Sequence, residues 1–225
     1  MNEPKIVVYG PPSAPFVEKV ALGLAFKGFR TVEIVEPEGP EDFRRWNPDT
    51  GMLPVMDFEG TRVPDSSGIL DWLDARFPSP ALVARDPWTA RQQRQLEAWI
   101  SETFYFYWVR WLRETVLAGS DGEPEASGGE LARLGILGRV GELLTASPER
   151  PGDLGPEFER RLDDLVGFLG GRPFFYADQP SRADLTATAF LRSVEGGSIP
   201  GGDRLLRRRP TLAALMERVR EHTGR

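Results

Sequence analysis

The chain has 225 residues, 40% hydrophobic and 28% charged, with a net charge of −6 and a pI near 5.1. This is the composition of a globular protein, and its acidity argues against a nucleic-acid partner, which needs clustered cations to meet phosphates. With no cysteine and a single histidine, His222, disulfide scaffolds, thiolate nucleophiles, cysteine-ligated metals and histidine clusters are excluded.

The first residues carry no basic region followed by an apolar stretch, and no run approaches ~18 apolar residues. A cytoplasmic protein with no membrane partner is expected, and His222 is expected to be a plain surface residue. Lys5 to Tyr9 is a short apolar run rich in β-branched residues, closed by Gly10-Pro11-Pro12. It reads as a buried strand and a turn. Pro15 can open a helix, with Phe16, Val20 and Leu24 at helical spacing and Gly28 as its stop. Phe29 to Val35 alternates as a second strand would. Glu41 to Trp46 is a short helical stretch, and Asn47 to Gly51 is a turn cluster.

Pro54 to Phe58 and Thr61 to Val63 flank Glu59-Gly60, which predicts a β-hairpin. Asp65, Ser66 and Ser67 can cap a helix over Gly68 to Phe77. Pro78-Ser79-Pro80 breaks the pattern. From Pro87 onward no strand is expected. Pro87 to Leu117 is a long helical segment dense in aromatics. Gly119 to Gly129 reads as a loop. Leu131 to Thr145 and Pro156 to Leu169 are amphipathic helices. Ser181 and Asp184 form a capping-box-like start to a nearly uncharged helix, expected at the centre of the helical half. Pro210 to Glu221 is the last helix.

Three local signals stand out in this order of elements. Gly51 to Pro54 opens the hairpin. Asp65-Ser66 lies eleven residues beyond Pro54, at the mouth of a helix. Ser181 and Asp184 head a buried helix late in the chain. With Tyr9-Gly10 and the run Pro15 to Val20, they make the sequence resemble the cytosolic glutathione transferase superfamily, closest to bacterial and plant-like members that use serine or cysteine. The resemblance covers nearly the whole chain. It implies an α/β thioredoxin-like N-terminal domain over 1–78, a linker over 79–87 and an all-α C-terminal domain over 88–225. It also implies a homodimer, and glutathione as co-substrate with no other cofactor and no metal.

The resemblance further implies a cis bond before Pro54, so that the Leu53 backbone pairs with the cysteinyl part of glutathione by strand addition. The alternative is a trans proline that merely starts an edge strand. Asp65 and Ser66 at a helix N-terminus suit the ammonium and carboxylate of the γ-glutamyl end. They would also serve as an ordinary cap. Tyr105, Trp108 and Trp111 are candidates for an apolar co-substrate pocket, with core packing or a dimer interface as the competing roles for this aromatic run. Ser181 and Asp184 are assigned to folding, not chemistry.

The catalytic position departs from the family. A free thiol has a pKa near ~8.5, and a hydroxyl beside the first helix can help hold it as thiolate. The matching place, five residues ahead of Lys19, is Ala14. Ser13 is the nearest replacement, while Tyr9 is expected to be buried. Conjugation of glutathione to an apolar electrophile is the expected function. A non-catalytic binding protein for an apolar ligand or a protein partner is the alternative.

Overall fold

A computed structural model describes residues 3–111, 154–195 and 201–225. Its first part is a four-stranded mixed sheet in the order β2-β1-β3-β4, formed by β1 (Ile6–Tyr9), β2 (Glu33–Val35), β3 (Val55–Phe58) and β4 (Thr61–Pro64). β1 runs parallel to β2, with Val8 opposite Ile34, and antiparallel to β3, with Val8 opposite Met56. The parallel pair needs a crossover, which α1 (Pro15–Phe26) supplies. Helix α2 (Pro40–Trp46) precedes β3, and α3 (Ser66–Arg76) follows the hairpin. The central strand is buried at Ile6, Val7 and Val8 because helices and neighbouring strands cover it.

The helical part begins with α4 (Pro87–Trp99), capped by the Asp86 carboxylate, which accepts from Thr89 N at 2.8 Å. A π turn occupies Ile100–Phe104, and the helix then resumes through residue 111. The remaining described helices are α5 (Leu154–Leu169), α6 (Arg182–Val194), α7 (Gly202–Arg207) and α8 (Pro210–Thr223). The expected end of the long helix over 112–117, the loop over Gly119 to Gly129 and the helix over Leu131 to Thr145 lie outside the described residues.

Helix α6 is the hub. Every residue from Arg182 to Leu191 is buried, and α1 and α4 both pack along it. Its entry is held by Asp184, whose carboxylate accepts from Ser181 N and Phe175 N at 2.8 Å and from Ser181 Oγ at 2.7 Å. The thioredoxin-like sheet and the helical bundle therefore share one hydrophobic core.

Four details differ from the sequence expectation. The helix after the hairpin starts at Ser66, two residues early, with Asp65 as its cap. The long helix is interrupted by the π turn. The short helix α7 is new. A second cis bond joins Ser79 to Pro80. Lys27 organises that region: its ammonium donates to Asp74 at 2.7 Å and to the carbonyls of Phe77 and Pro80 at 2.6 and 2.5 Å. It ties the end of α1 to the end of α3 and to the chain that leaves it.

Close approach of α1 and α3 rests on Gly23, where an added Cβ would lie 2.4 Å from Leu70 Cδ2. Gly23→Ala forces Leu70, which is fully buried, out of its place. A loss of about 1–3 kcal/mol is expected from such overpacking, read as a lower urea midpoint at unchanged slope.

Candidate functional site

A cleft of about 900 Å³ lies between the sheet part and α4. That is the upper end of the range for ligand sites, large enough for two small molecules side by side. Three backbone segments form its sheet side. The turn after β1 brings Pro11 and Ala14 to it, the segment before β3 brings Leu53 and Pro54, and the start of α3 brings Asp65, Ser66 and Ser67.

The bond between Leu53 and Pro54 is cis. Asp65 holds φ at 66°, in the left-handed region, where a residue other than glycine is strained by about 1–2 kcal/mol. Its carboxylate accepts from Gly68 N at 2.8 Å, which closes the first turn of α3. Ser66 follows as a buried residue at the start of that helix. The positive end of the α3 dipole thus opens into the cleft beside a carboxylate and a hydroxyl.

Ala14 caps α1 without a side-chain bond and lines the cleft. Ser13 is exposed on the preceding turn and is not among the lining residues. Tyr9 is also outside the cleft. Its ring lies against Trp46, centroids 4.8 Å apart, with the Arg62 guanidinium 5.7 Å from its centre. No side-chain hydroxyl stands at the Ala14 position itself.

On the helical side the three aromatic candidates part ways. Tyr105 lines the cleft against Phe16, ring centroids 5.0 Å apart. Burial pushes its phenol up to about 12, so it is a neutral hydrogen-bond donor. Trp108 is fully buried with its ring edge-on to Phe190, and Trp111 is buried and stacked on Phe158 at 4.7 Å. Both belong to the core. Ser101, Phe106 and Val109 take the lining places instead.

An ionic network backs the cleft, and it was absent from the sequence reading. The fully buried Lys19 donates to Glu97 Oε1 at 2.5 Å and to Ser67 Oγ at 2.9 Å. Ser67 Oγ donates in turn to Glu97 Oε1 at 2.7 Å. Arg182 Nε lies 2.5 Å from Glu97 Oε2, too bent for an aligned hydrogen bond. The same guanidinium pairs with Asp71 and reaches the Ser67 carbonyl at 3.2 Å. Arg94 completes it on Asp71 at 2.8 Å. Burial alone would raise the Glu97 carboxyl, but Lys19 and Arg182 hold it below the ordinary range. Burial lowers the Lys19 ammonium in spite of Glu97. One signal was available: Lys19 falls on the stripe with Phe16, Val20 and Gly23, where a charge must find a buried partner.

Residues 14–76 match the N-terminal domain family of the glutathione S-transferases. The chain carries a region similar to that N-terminal domain. Among curated proteins, the maleylacetoacetate isomerase of Rhizobium meliloti is 28% identical over 189 residues, covering 82% of this chain and 78% of its own. The isoprene-epoxide–glutathione S-transferase of a Rhodococcus species is 25% identical, covering 96% and 98%. Among solved structures, the β-etherase of a Sphingobium species aligns with a TM-score of 0.70 at 18% identity, covering 96% of this chain and 95% of its own. A glutathione S-transferase of Methylobacterium radiotolerans, solved with glutathione sulfonate, aligns at 0.66 with 24% identity, covering 96% and 90%. At such identities the structures establish the fold of the chain. Among its described residues no helix is long and apolar enough to cross a membrane, and no acidic, histidine or cysteine cluster could hold a metal ion.

Proposed function

We propose that the protein binds glutathione along Leu53, Pro54, Asp65 and Ser66 and adds its sulfur to an apolar electrophile held in the second half of the cleft, beside Tyr105. The observation that carries this reading is the convergence of the cis Leu53–Pro54 segment and the Asp65-Ser66 helix entrance on one cleft with room for a second ligand. The Leu53 backbone offers strand-like pairing to the cysteinyl unit. Ser66 and the α3 N-terminus receive the γ-glutamyl carboxylate, and Asp65 receives the ammonium.

The start of α1 sits where the sulfur would lie, and its dipole favours a thiolate. On ionisation the thiol proton passes to solvent. The sulfur lone pair then forms the carbon–sulfur bond, and the displaced group leaves with its bonding electrons. Ser13 is carried as the candidate thiolate-stabilising hydroxyl, for which the turn before Ala14 would have to shift. Ala14 supports a second reading, in which the protein binds glutathione or an apolar ligand without turnover. A homodimer acting in the cytoplasm, with domains over 1–78 and 88–225 joined by 79–87, completes the proposal.

Calorimetry with glutathione, and turnover of a generic aryl halide electrophile, separate the readings. Ser66→Ala is expected to weaken glutathione binding about ten-fold, the worth of one hydrogen bond to a charged group. Ser13→Ala is expected to lower turnover and leave that affinity in place. Binding without turnover would select the non-catalytic reading, and no binding at millimolar glutathione would remove the site. Unchanged turnover in Ser13→Ala would remove Ser13 from catalysis.

A further inference from the structure

The long helix that walls the cleft meets it with pairs of residues: Glu97 and Ala98, Ser101 and Glu102, Tyr105 and Phe106. The pairs recur every four residues, a period that a regular α-helix of about 3.6 residues per turn does not keep on one face. Two regular turns from Glu97, about 7 residues on, reach Phe104. The π turn at Ile100–Phe104 takes one extra residue into the coil, so that Tyr105 lines the cleft and Phe104 is buried. The turn thereby sets a phenol where a plain ring would have stood. The same shift leaves Trp108 in the core and gives Val109 to the wall.

The Tyr105 ring is held on three sides. Phe16 and Phe190 meet it edge-on at 5.0 and 5.9 Å, and Trp108 stacks on it at 5.9 Å. Its hydroxyl has no hydrogen-bond partner among the described residues, and burial is the one influence that moves its acidity. The oxygen is not among the buried side-chain atoms that lack a partner, so it is open to solvent, and the space it opens on is the cleft. Other hydroxyls along the cleft are engaged or covered. Ser67 bonds Glu97 and Lys19, Thr50 accepts from Asn47 and from Met52 N, and Ser101 Oγ is buried. Phe16 is the second residue of α1 and Ala14 its cap, so the phenol stands beside the helix start that would receive the sulfur, on the side of the second ligand. An unpaired donor fixed in apolar surroundings gains most from an acceptor that turns negative during the reaction.

We propose that Tyr105 is a catalytic proton donor to the co-substrate, and that the co-substrate is an electrophile whose own oxygen takes up the displaced electron pair, an epoxide or an α,β-unsaturated ketone. This rests on the reading of the cleft as a two-ligand site. With an epoxide, the sulfur lone pair forms the carbon–sulfur bond, the carbon–oxygen bond breaks toward oxygen, and the alkoxide takes the Tyr105 proton. With the ketone, the sulfur adds to the β-carbon and the double-bond electrons move onto the carbonyl oxygen, which Tyr105 protonates to an enol. Water then carries the enol proton to the α-carbon. In both cases the phenolate recovers its proton from water. A phenol raised to about 12 keeps its proton until the oxygen it faces becomes the stronger base.

The test compares turnover of styrene oxide and of 4-phenylbut-3-en-2-one with that of benzyl chloride, which carries no oxygen and sheds chloride. Tyr105→Phe is expected to lower kcat for the oxygen electrophiles about 100-fold relative to benzyl chloride, the loss of one donor to a developing oxyanion. KM, and glutathione affinity by calorimetry, are expected to stay near the wild type. Tyr107→Phe, on the same helix and outside the cleft, leaves the ratio as in the wild type. A fall confined to the epoxide or to the ketone upholds the donor and identifies the class. An equal fall on all three compounds, or no fall on either oxygen electrophile, would overturn the inference. Wild-type turnover of benzyl chloride alone would overturn it too, while the conjugating reading stands. Glutathione binding without turnover of any of the three would overturn that reading and the inference with it. If Tyr105→Phe does not fold, the wild type gives the test through its solvent deuterium effect, larger with styrene oxide than with benzyl chloride. Equal effects would overturn the role of Tyr105.

Discussion

Glu97→Ala is expected to lower the unfolding free energy by about 3–5 kcal/mol, the cost of breaking a buried ion pair from one side. The carboxylate it removes is shared by Lys19, Ser67 and Arg182. Lys19 sits at 0% exposure, so its ammonium would be left in the core with Ser67 Oγ as its remaining partner. Replacing both charges, as in Lys19→Met with Glu97→Gln, is expected to cost less than Glu97→Ala alone, because the glutamine keeps an oxygen for Arg182 and no ammonium is stranded. Urea midpoints of the singles and the double form the cycle that measures this coupling. A shift below ~1 kcal/mol for Glu97→Ala would mean that water already reaches the pair. The same variant is expected to weaken glutathione binding, since Ser67 would no longer hold the first turn of α3 in place.

Asp184→Ala carries the second large effect, about 3–4 kcal/mol, because it leaves Ser181 N, Ser181 Oγ and Phe175 N without their acceptor in a fully buried place. Its pH dependence runs opposite to that of Glu97. Burial pushes the Asp184 carboxyl up to about 7 against the pull of these donors. The folded state then takes up a proton that the unfolded chain, near ~3.9, does not. The Asp184 contribution is therefore complete below about pH 4 and is lost as the pH rises through about 7. Glu97 and Asp71 are held below their ordinary values by their cations. Their contribution is present above the ordinary carboxylate range and is lost as the pH falls through those lowered values. The gap in unfolding midpoint between wild type and Asp184→Ala should accordingly be larger at pH 5 than at pH 8. An equal gap at both would show that the buried carboxyl does not titrate between them.

The strands, the first helix and the hairpin were legible because period and punctuation are local. Ile6 to Val8 are apolar in a row, Pro15 opens α1, and Glu59-Gly60 turns the hairpin. The cis bond at Pro54 was legible only through the family resemblance, since proline alone does not choose its isomer. Leu53, Pro54, Asp65 and Ser66 were named through the same resemblance, and all four line the cleft. What escaped was set by geometry beyond the local chain. Trp108 and Trp111 were candidates for the pocket, with core packing or a dimer interface as the competing roles, and both lie in the core. Nothing in Ile100 to Phe104 announces a π turn, yet that one extra residue decides which aromatics face the cleft. The partners of Lys19 lie 78 and 48 residues away in sequence, so its burial was hinted by its stripe while its satisfaction was not.

The network has a consequence for building hybrids of this protein. Lys19, Ser67 and Asp71 come from the thioredoxin-like part, and Arg94, Glu97 and Arg182 from the helical part. A chimera that joins this sheet to a relative's helices inherits half of an electrical circuit. It will assemble only if the incoming helices bring a carboxylate to the place of Glu97 and a guanidinium to the place of Arg182. Shuffling between the sheet part and the helices is thus governed less by where the chain is cut than by whether six side chains cross over as a set.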